Sequence, residues 1–152
     1  VKMANPDQEV HAIVGDGAFM MTATELATSV SQNLGLVIGV FNDGELSQIS
    51  QAQQIPYNRK TCTVLPQTKL KGLAMATGAE YVRIENNDQI KSGLTQARSL
   101  AQDNKTVILD INIDYSKATA FTEGAVKTNL KRMPLPTKVR MVGRALARKV
   151  TG

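Results

Sequence analysis

A chain of 152 residues, 42% apolar and 20% charged, can bury one real hydrophobic core and does not have the composition of a disordered protein. No stretch approaches the roughly 18 apolar residues that a membrane helix needs. The single cysteine, Cys62, excludes an internal disulfide and fits a reducing, cytoplasmic setting. The formal charge of +5 is unevenly placed: residues 124–152 carry eight Lys or Arg and no acid, whereas the first 123 hold ten bases against thirteen acids.

Taken in order, the pattern predicts a first strand over Glu9–Val14, followed by the turn Gly15-Asp16-Gly17 and a helix over Ala18–Gln32. An almost wholly apolar strand, Leu36–Phe41, leads into Asn42-Asp43-Gly44. A short Gln-rich helix is expected over Glu45–Gln53, then a loop over Ile55–Pro66 bounded by prolines. Lys69–Thr77 reads as a helix closed by Gly78, and Glu80–Ile84 as a strand of period two. Asn87 or Asp88 is expected to cap a helix reaching about Gln102, with Ile90, Leu94, Ala97 and Ala101 on its core stripe. Thr106–Ile113 reads as a buried strand. This alternation predicts an α/β fold, a three-layer doubly wound sheet, mostly parallel, with helices on both faces.

Beyond it the character changes. Tyr115–Glu123 reads as irregular, Met133-Pro134-Leu135-Pro136 breaks the chain, and Thr137 is expected to cap a basic amphipathic helix with Val139, Val142, Leu146 and Val150 on one face. The expected organisation is therefore an α/β domain over 1–115 and a C-terminal extension over 116–152. The extension lacks interleaved aromatics, which argues against nucleic acid. A solvated face, or one packed on an acidic partner, suits it better.

The chemistry concentrates in the first βαβ unit. Each of its strands ends in a carboxylate, Asp16 and Asp43, and ligands of open parallel sheets bind at that edge. Gly15 and Gly17 permit a tight turn and close backbone approach. A helix N-terminus beside them offers N–H groups to a diphosphate. Two hard carboxylate oxygens, with the Glu45 carbonyl as a third ligand, suit Mg²⁺, which completes six oxygens with phosphate and water. Each turn alone is common. Together, 27 residues apart and flanking one βαβ unit, they specify a metal and diphosphate site.

Gly15-Asp16-Gly17, 24 residues, then Asn42-Asp43 resembles the cofactor motif of thiamine-diphosphate-dependent enzymes. The resemblance is closest to the acetolactate synthase, pyruvate oxidase and decarboxylase group. Phe19-Met20-Met21-Thr22, Glu25-Leu26-Ala27-Thr28, Asn5-Pro6 and the Leu-Asp-Ile-Asn-Ile-Asp run at 109–114 add to it, so that it covers residues 3–115. It implies a C-terminal diphosphate-binding domain, incomplete at its N-terminal side. Asp16 and Asp43 would hold Mg²⁺ by their side chains and Glu45 by its carbonyl. Gly15 belongs to the same turn, and Gly17 and Ala18 would meet the diphosphate of thiamine diphosphate through N–H groups. Asp43 stands where the family mostly has Asn, a harder and more anionic ligand.

The helix after the second turn faces the substrate end in such enzymes, which makes Ile49 a candidate pocket wall, with Leu46 and Ala52 beside it. Ala52 stands where biosynthetic acetohydroxyacid synthases have a tryptophan, and the chain has no Trp. The resemblance implies an enzyme, a lyase or transferase that decarboxylates a 2-ketoacid, pyruvate foremost, and passes on the acyl carbanion. It implies further a homo-oligomeric parent, at least a dimer, and a pyrimidine-binding domain that supplies the acid–base group from the same chain or a partner subunit. A flavin (FAD) would lie largely in a middle domain. No catalytic residue is expected within these 152 residues, and the piece alone is expected to be inert. The rival reading is a non-catalytic nucleotide- or phosphate-binding module whose basic tail docks a partner.

Five other residues carry little. His11, the only histidine, reads as a half-buried strand residue, and Cys62 has no partner nearby in sequence. Arg59-Lys60 reads as a solvated loop, and Glu25 as a structural hydrogen-bonding residue behind the metal.

Overall fold

The computed structural model describes residues 1–117 and 120–151. The chain divides into two compact units, Val1–Gly44 with Pro66–Ile113, and Glu45–Leu65 with Asp114–Gly152.

The first unit is built on four parallel strands, β1 (His11–Gly15), β2 (Leu36–Asn42), β3 (Glu80–Ile84) and β4 (Thr106–Asn112), in the order β1-β2-β4-β3. β4 is enclosed on both faces, so its run reads Val-Ile-Leu rather than alternating, as in a parallel sheet covered by helices. On one face α1 (Asp16–Thr22), α2 (Glu25–Ser31) and α4 (Leu70–Thr77) place Phe19, Ala23, Leu26, Leu70 and Ala74 against Val40 and Ile108. On the other, α5 (Ile90–Gln102) sets Ala97 and Ala101 against Val37, Val82, Ile84, Val107 and Leu109. Fully burying a side chain of this size contributes about 1.5–3 kcal/mol. The α/β doubly wound architecture is that expected, with every strand pair parallel.

Several local expectations are corrected. The single helix over 18–32 is two, because Leu26 and Ala27 donate to Ala23 and Thr24 three residues back, a tighter 3₁₀ pattern that interrupts the α-helical ladder. The cap before α5 is Asn86, whose side chain accepts from the Asp88 N–H at 3.1 Å and opens a 3₁₀ turn, Asn87–Gln89. The core stripe of α5 is also rotated. Gly93, Ala97 and Ala101 are buried, while Ile90 and Leu94 are 42% and 37% exposed. Gly93 sets this rotation: a Cβ there would lie 2.7 Å from Ile84 Cγ1, so the glycine lets the helix lie close on the sheet. Gly78 closes α4 as expected, with φ +81° and its N–H on the Ala74 carbonyl.

The second unit contains α3 (Ser47–Tyr57), α6 (Ala120–Arg132) and α7 (Leu135–Thr151), with α3 packed on both of the others. The loop expected from residue 55 begins later. α3 continues through Pro56 and ends at Asn58, whose left-handed φ of 51° lets its N–H cap the Gln54 carbonyl at 3.0 Å. α6 takes in the last four residues of the segment 115–123, expected to be irregular, and α7 begins at Leu135, ahead of the expected Thr137 cap. Pro136 costs little there because the first turn of a helix has no N–H partners to lose. The Val139, Val142, Leu146 and Val150 face of α7 is exposed, as is Leu135. Among the described residues no helix is long and apolar enough to cross a membrane.

Candidate functional site

Strand register brings the chemistry to one edge. Gly15 lies beside Phe41, Phe41 beside Ile111 and Ile111 beside Ile84, so the residues that leave β1 and β2, Asp16 and Asn42-Asp43-Gly44, emerge together at the carboxyl edge.

Asp16 is the junction. Its residue is buried, at 8% exposure, and its two oxygens accept from two different turns: Oδ1 from the Gly17 N–H at 2.7 Å and Oδ2 from the Gly44 N–H at 2.8 Å. Hydrogen bonds from backbone N–H groups to an ionised acceptor are among the strong ones. Gly44 can present its N–H this way because its φ is +72°, a conformation that glycine adopts without penalty. Added Cβ atoms at Gly15 and Gly44 would meet nothing within 4 Å, so the backbone beside both turns is open to a ligand. Asp43 is half-buried between Asn42 and Gly44. The structure thus brings Gly15, Asp16, Gly17 and the Asp43 turn into one assembly, and Ala18 follows in the first turn of α1. The Gly17 N–H, expected to meet a diphosphate, is engaged by Asp16 here.

Behind the second turn stands a polar cluster centred on Asp110, to which the sequence pattern alone assigned no role. Asp110, 3% exposed in central β4, accepts from the Tyr81 hydroxyl at 2.7 Å and from Asn42 Nδ2 at 3.0 Å, and pairs with Arg83 Nη1 at 2.6 Å. Arg83 also forks onto Glu85 at 2.9 and 3.1 Å. These partners raise the Arg83 pKa, the Glu85 hydrogen bonds most. Burial first, and the Asp110 carboxylate second, push the Tyr81 hydroxyl up to about 12, so it remains a donor at any ordinary pH. The sequence signal was available: Asp110 is the one charge inside an apolar Val-Ile-Leu-Asp-Ile run, and a buried charge demands partners.

The other expected residues belong to the second unit or lie elsewhere. Glu45 forms an isolated antiparallel bridge with Val64, and its carboxylate takes Lys60 Nζ at 2.8 Å and the Thr63 hydroxyl at 3.1 Å. Lys60 is the main cause that lowers the Glu45 pKa. Lys60 is therefore an ion-paired residue and not merely a solvated one. On α3, Ile49 is 52% exposed, Ala52 exposed and Leu46, just before the helix, half-buried. His11, in the edge strand β1, is exposed rather than half-buried. Its Nε2 lies 2.6 Å from Glu9, which Arg98 also grips at 2.6 and 2.9 Å. Arg98 first, then His11, hold the Glu9 carboxyl down to about 2. Cys62 is a free, exposed thiol, and Glu25 accepts from the Thr28 hydroxyl at 3.2 Å.

Among the described residues no cluster of three or more His, Cys, Asp or Glu is arranged to hold a metal. A cation at the two turns would thus have at most two carboxylates and would complete its shell from carbonyls, phosphate and water. Such all-oxygen coordination, with no sulfur or imidazole, suits Mg²⁺.

Two glycine turns, each with a carboxylate, thus meet at the carboxyl edge of a parallel α/β sheet, the edge at which such sheets bind ligands. The profile of the thiamine pyrophosphate enzyme family, C-terminal TPP binding domain, matches residues 1–111, and the chain belongs to this family. It is 33% identical over 132 residues to a probable acetolactate synthase large subunit of Methanococcus aeolicus, covering 85% of this chain and 22% of the relative. It is 30% identical over 114 residues to an acetolactate synthase of Bacillus subtilis, covering 75% of this chain and 20% of the relative. It is also 30% identical over 127 residues to 2-hydroxyacyl-CoA lyase 2 of Mus musculus, covering 82% and 20%. The chain spans about a fifth of the length of these relatives.

Proposed function

We propose that this chain holds the Mg²⁺–diphosphate end of thiamine diphosphate for an acetolactate-synthase-like enzyme acting on a 2-ketoacid, pyruvate foremost. The observation that carries this reading is the double grip of Asp16, which joins the Gly-Asp-Gly turn to the Asn-Asp-Gly turn at the carboxyl edge. Asp16 and Asp43 would ligate Mg²⁺ through carboxylate oxygens. The family resemblance adds the Glu45 carbonyl as a third ligand, and the Gly17 and Ala18 N–H groups for the diphosphate.

Thiamine diphosphate, when bound, supplies the nucleophilic carbon that lets a 2-ketoacid lose carbon dioxide. The residues of this chain bind and orient. The Asp16 and Asp43 carboxylates would hold a cation that offsets the charge of the diphosphate. The backbone near Gly15 and Gly44 leaves room for close approach. None of these residues is assigned a proton transfer. That role falls to a pyrimidine-binding domain, carried by the same chain or a partner subunit of a homo-oligomer, so this chain by itself should show no turnover.

The test is calorimetric titration of the whole protein with Mg²⁺ and thiamine diphosphate. Asp16→Ala and Asp43→Ala should each weaken binding at least tenfold. Unchanged affinity in both folded variants would end the proposal.

A further inference from the structure

The cluster around Asp110 calls for an explanation beyond cohesion. A carboxylate buried between strands costs several kcal/mol in desolvation unless it is well paired, and well-packed apolar residues would often serve stability equally well. Asp110 is 3% exposed and draws its donors from both neighbouring strands, Tyr81 and Arg83 from β3 and Asn42 from β2.

The direction of the chain of bonds is informative. Asn42 is the last residue of β2, and it is held twice: its side chain by Asp110 at 3.0 Å, its carbonyl by the Ile113 N–H at 3.3 Å. The next residue is Asp43. The one after that, Gly44, donates to Asp16 at 2.8 Å. An unbroken series of contacts therefore runs from β3 through Asp110 and Asn42 into the turn that carries Asp43, and on to Asp16. A side-chain amide on a strand end fixes the rotation of that residue, and with it the departure angle of the residue that follows.

We propose that Asp110, anchored by Tyr81 and Arg83, is a positioning residue that acts through Asn42 to set the Asp43 carboxylate for a divalent cation. This rests on the reading of Asp16 and Asp43 as cation ligands. Asp110 itself touches no cation. Removal of outer groups that orient metal ligands typically costs 10–100-fold in metal affinity.

The experiment measures Mg²⁺ affinity by calorimetry at saturating thiamine diphosphate, with the urea midpoint of each cofactor-free variant recorded alongside. The whole protein is used as wild type, Asn42→Ala, Asp110→Asn, Asn42→Ala/Asp110→Asn and Asp16→Ala. Asn42→Ala and Asp110→Asn should each weaken Mg²⁺ binding about tenfold or more. The double variant should be no weaker than the worse single one, because the two residues act in series. A purely structural cluster would lower the urea midpoint and leave Mg²⁺ affinity of the folded protein unchanged, and that result overturns the proposal. Additive losses in the double variant overturn the route through Asn42. If Asp110→Asn does not fold, Asn42→Ala decides by the same criterion. The Asp16→Ala control separates the two levels: if it retains wild-type affinity, the cation-ligand reading itself has failed. If it loses affinity while Asn42→Ala does not, only the positioning role has failed.

Discussion

Replacing Gly44 by Ala tests the geometry of the second turn without touching any side chain that binds. The residue has φ +72°, and a Cβ added there meets nothing within 4 Å, so the substitution introduces backbone strain but no clash. For an L-residue the left-handed region costs roughly 1–2 kcal/mol. Loss of glycine's extra freedom in the unfolded chain offsets about 0.4–1 kcal/mol of that. The expected net loss is about 1 kcal/mol. The turn has one escape, rotating out of the left-handed region, but this would break the 2.8 Å bond from the Gly44 N–H to Asp16. A hydrogen bond to a charged group contributes about 1.5–3 kcal/mol, more than the strain, so the strained turn should persist. In urea unfolding, with a slope of about 2 kcal/mol/M, the midpoint should fall by about 0.5 M. Gly44→Asn should fall less, since asparagine tolerates this region best among residues with a side chain. The reasoning is refuted if alanine stabilises the protein, or if asparagine and alanine cost the same.

Gly93→Ala should lower the urea midpoint. The new Cβ would lie 2.7 and 3.0 Å from Ile84 Cγ1 and Cδ1, and an overpacking cost of about 1–3 kcal/mol exceeds the gain of about 1 kcal/mol in helix propensity. A rise in stability would show that α5 lies farther from the sheet. Tyr81 should titrate near 12 by ultraviolet absorbance, and Asp110→Asn should move its midpoint part of the way towards 10. The folded value is the raised one for an acid that is neutral at low pH. Its contribution to stability is therefore complete below about pH 10 and is lost as pH rises through about 12. A Tyr81 midpoint already at 10 in the wild type would remove Asp110 and burial as its neighbours.

The strands of the first unit were legible because their apolar runs are bounded by strong turn residues, and Glu80–Ile84 falls where its alternation places it. Periodicity misread α5, since glycine carries no hydrophobic weight, yet Gly93 is what lets the helix reach Ile84. The expected end of α3 also came too early, because Pro56 reads as a breaker although it lies within the last turn of the helix. At the site, the sequence displays the two turns and their carboxylates, but not the bond that unites them. Asp16 and Gly44 are 28 residues apart, and no local rule pairs a side chain with one particular distant N–H. Asp110 was visible as a charge in an apolar strand. Its partners were not, because they depend on β4 being inserted between β2 and β3, an order that chain sequence alone leaves open.

The double grip of Asp16 bears on which ion the edge would accept. One carboxylate ties residue 17 to residue 44, and this tie restrains the two turns relative to each other. A pliable oxygen site can expand to seven or eight ligands and so welcomes Ca²⁺, whereas a stiff one with few protein oxygens matches the small octahedral shell of Mg²⁺. Two backbone hydrogen bonds would in this way discriminate between ions by size, without a single additional ligand.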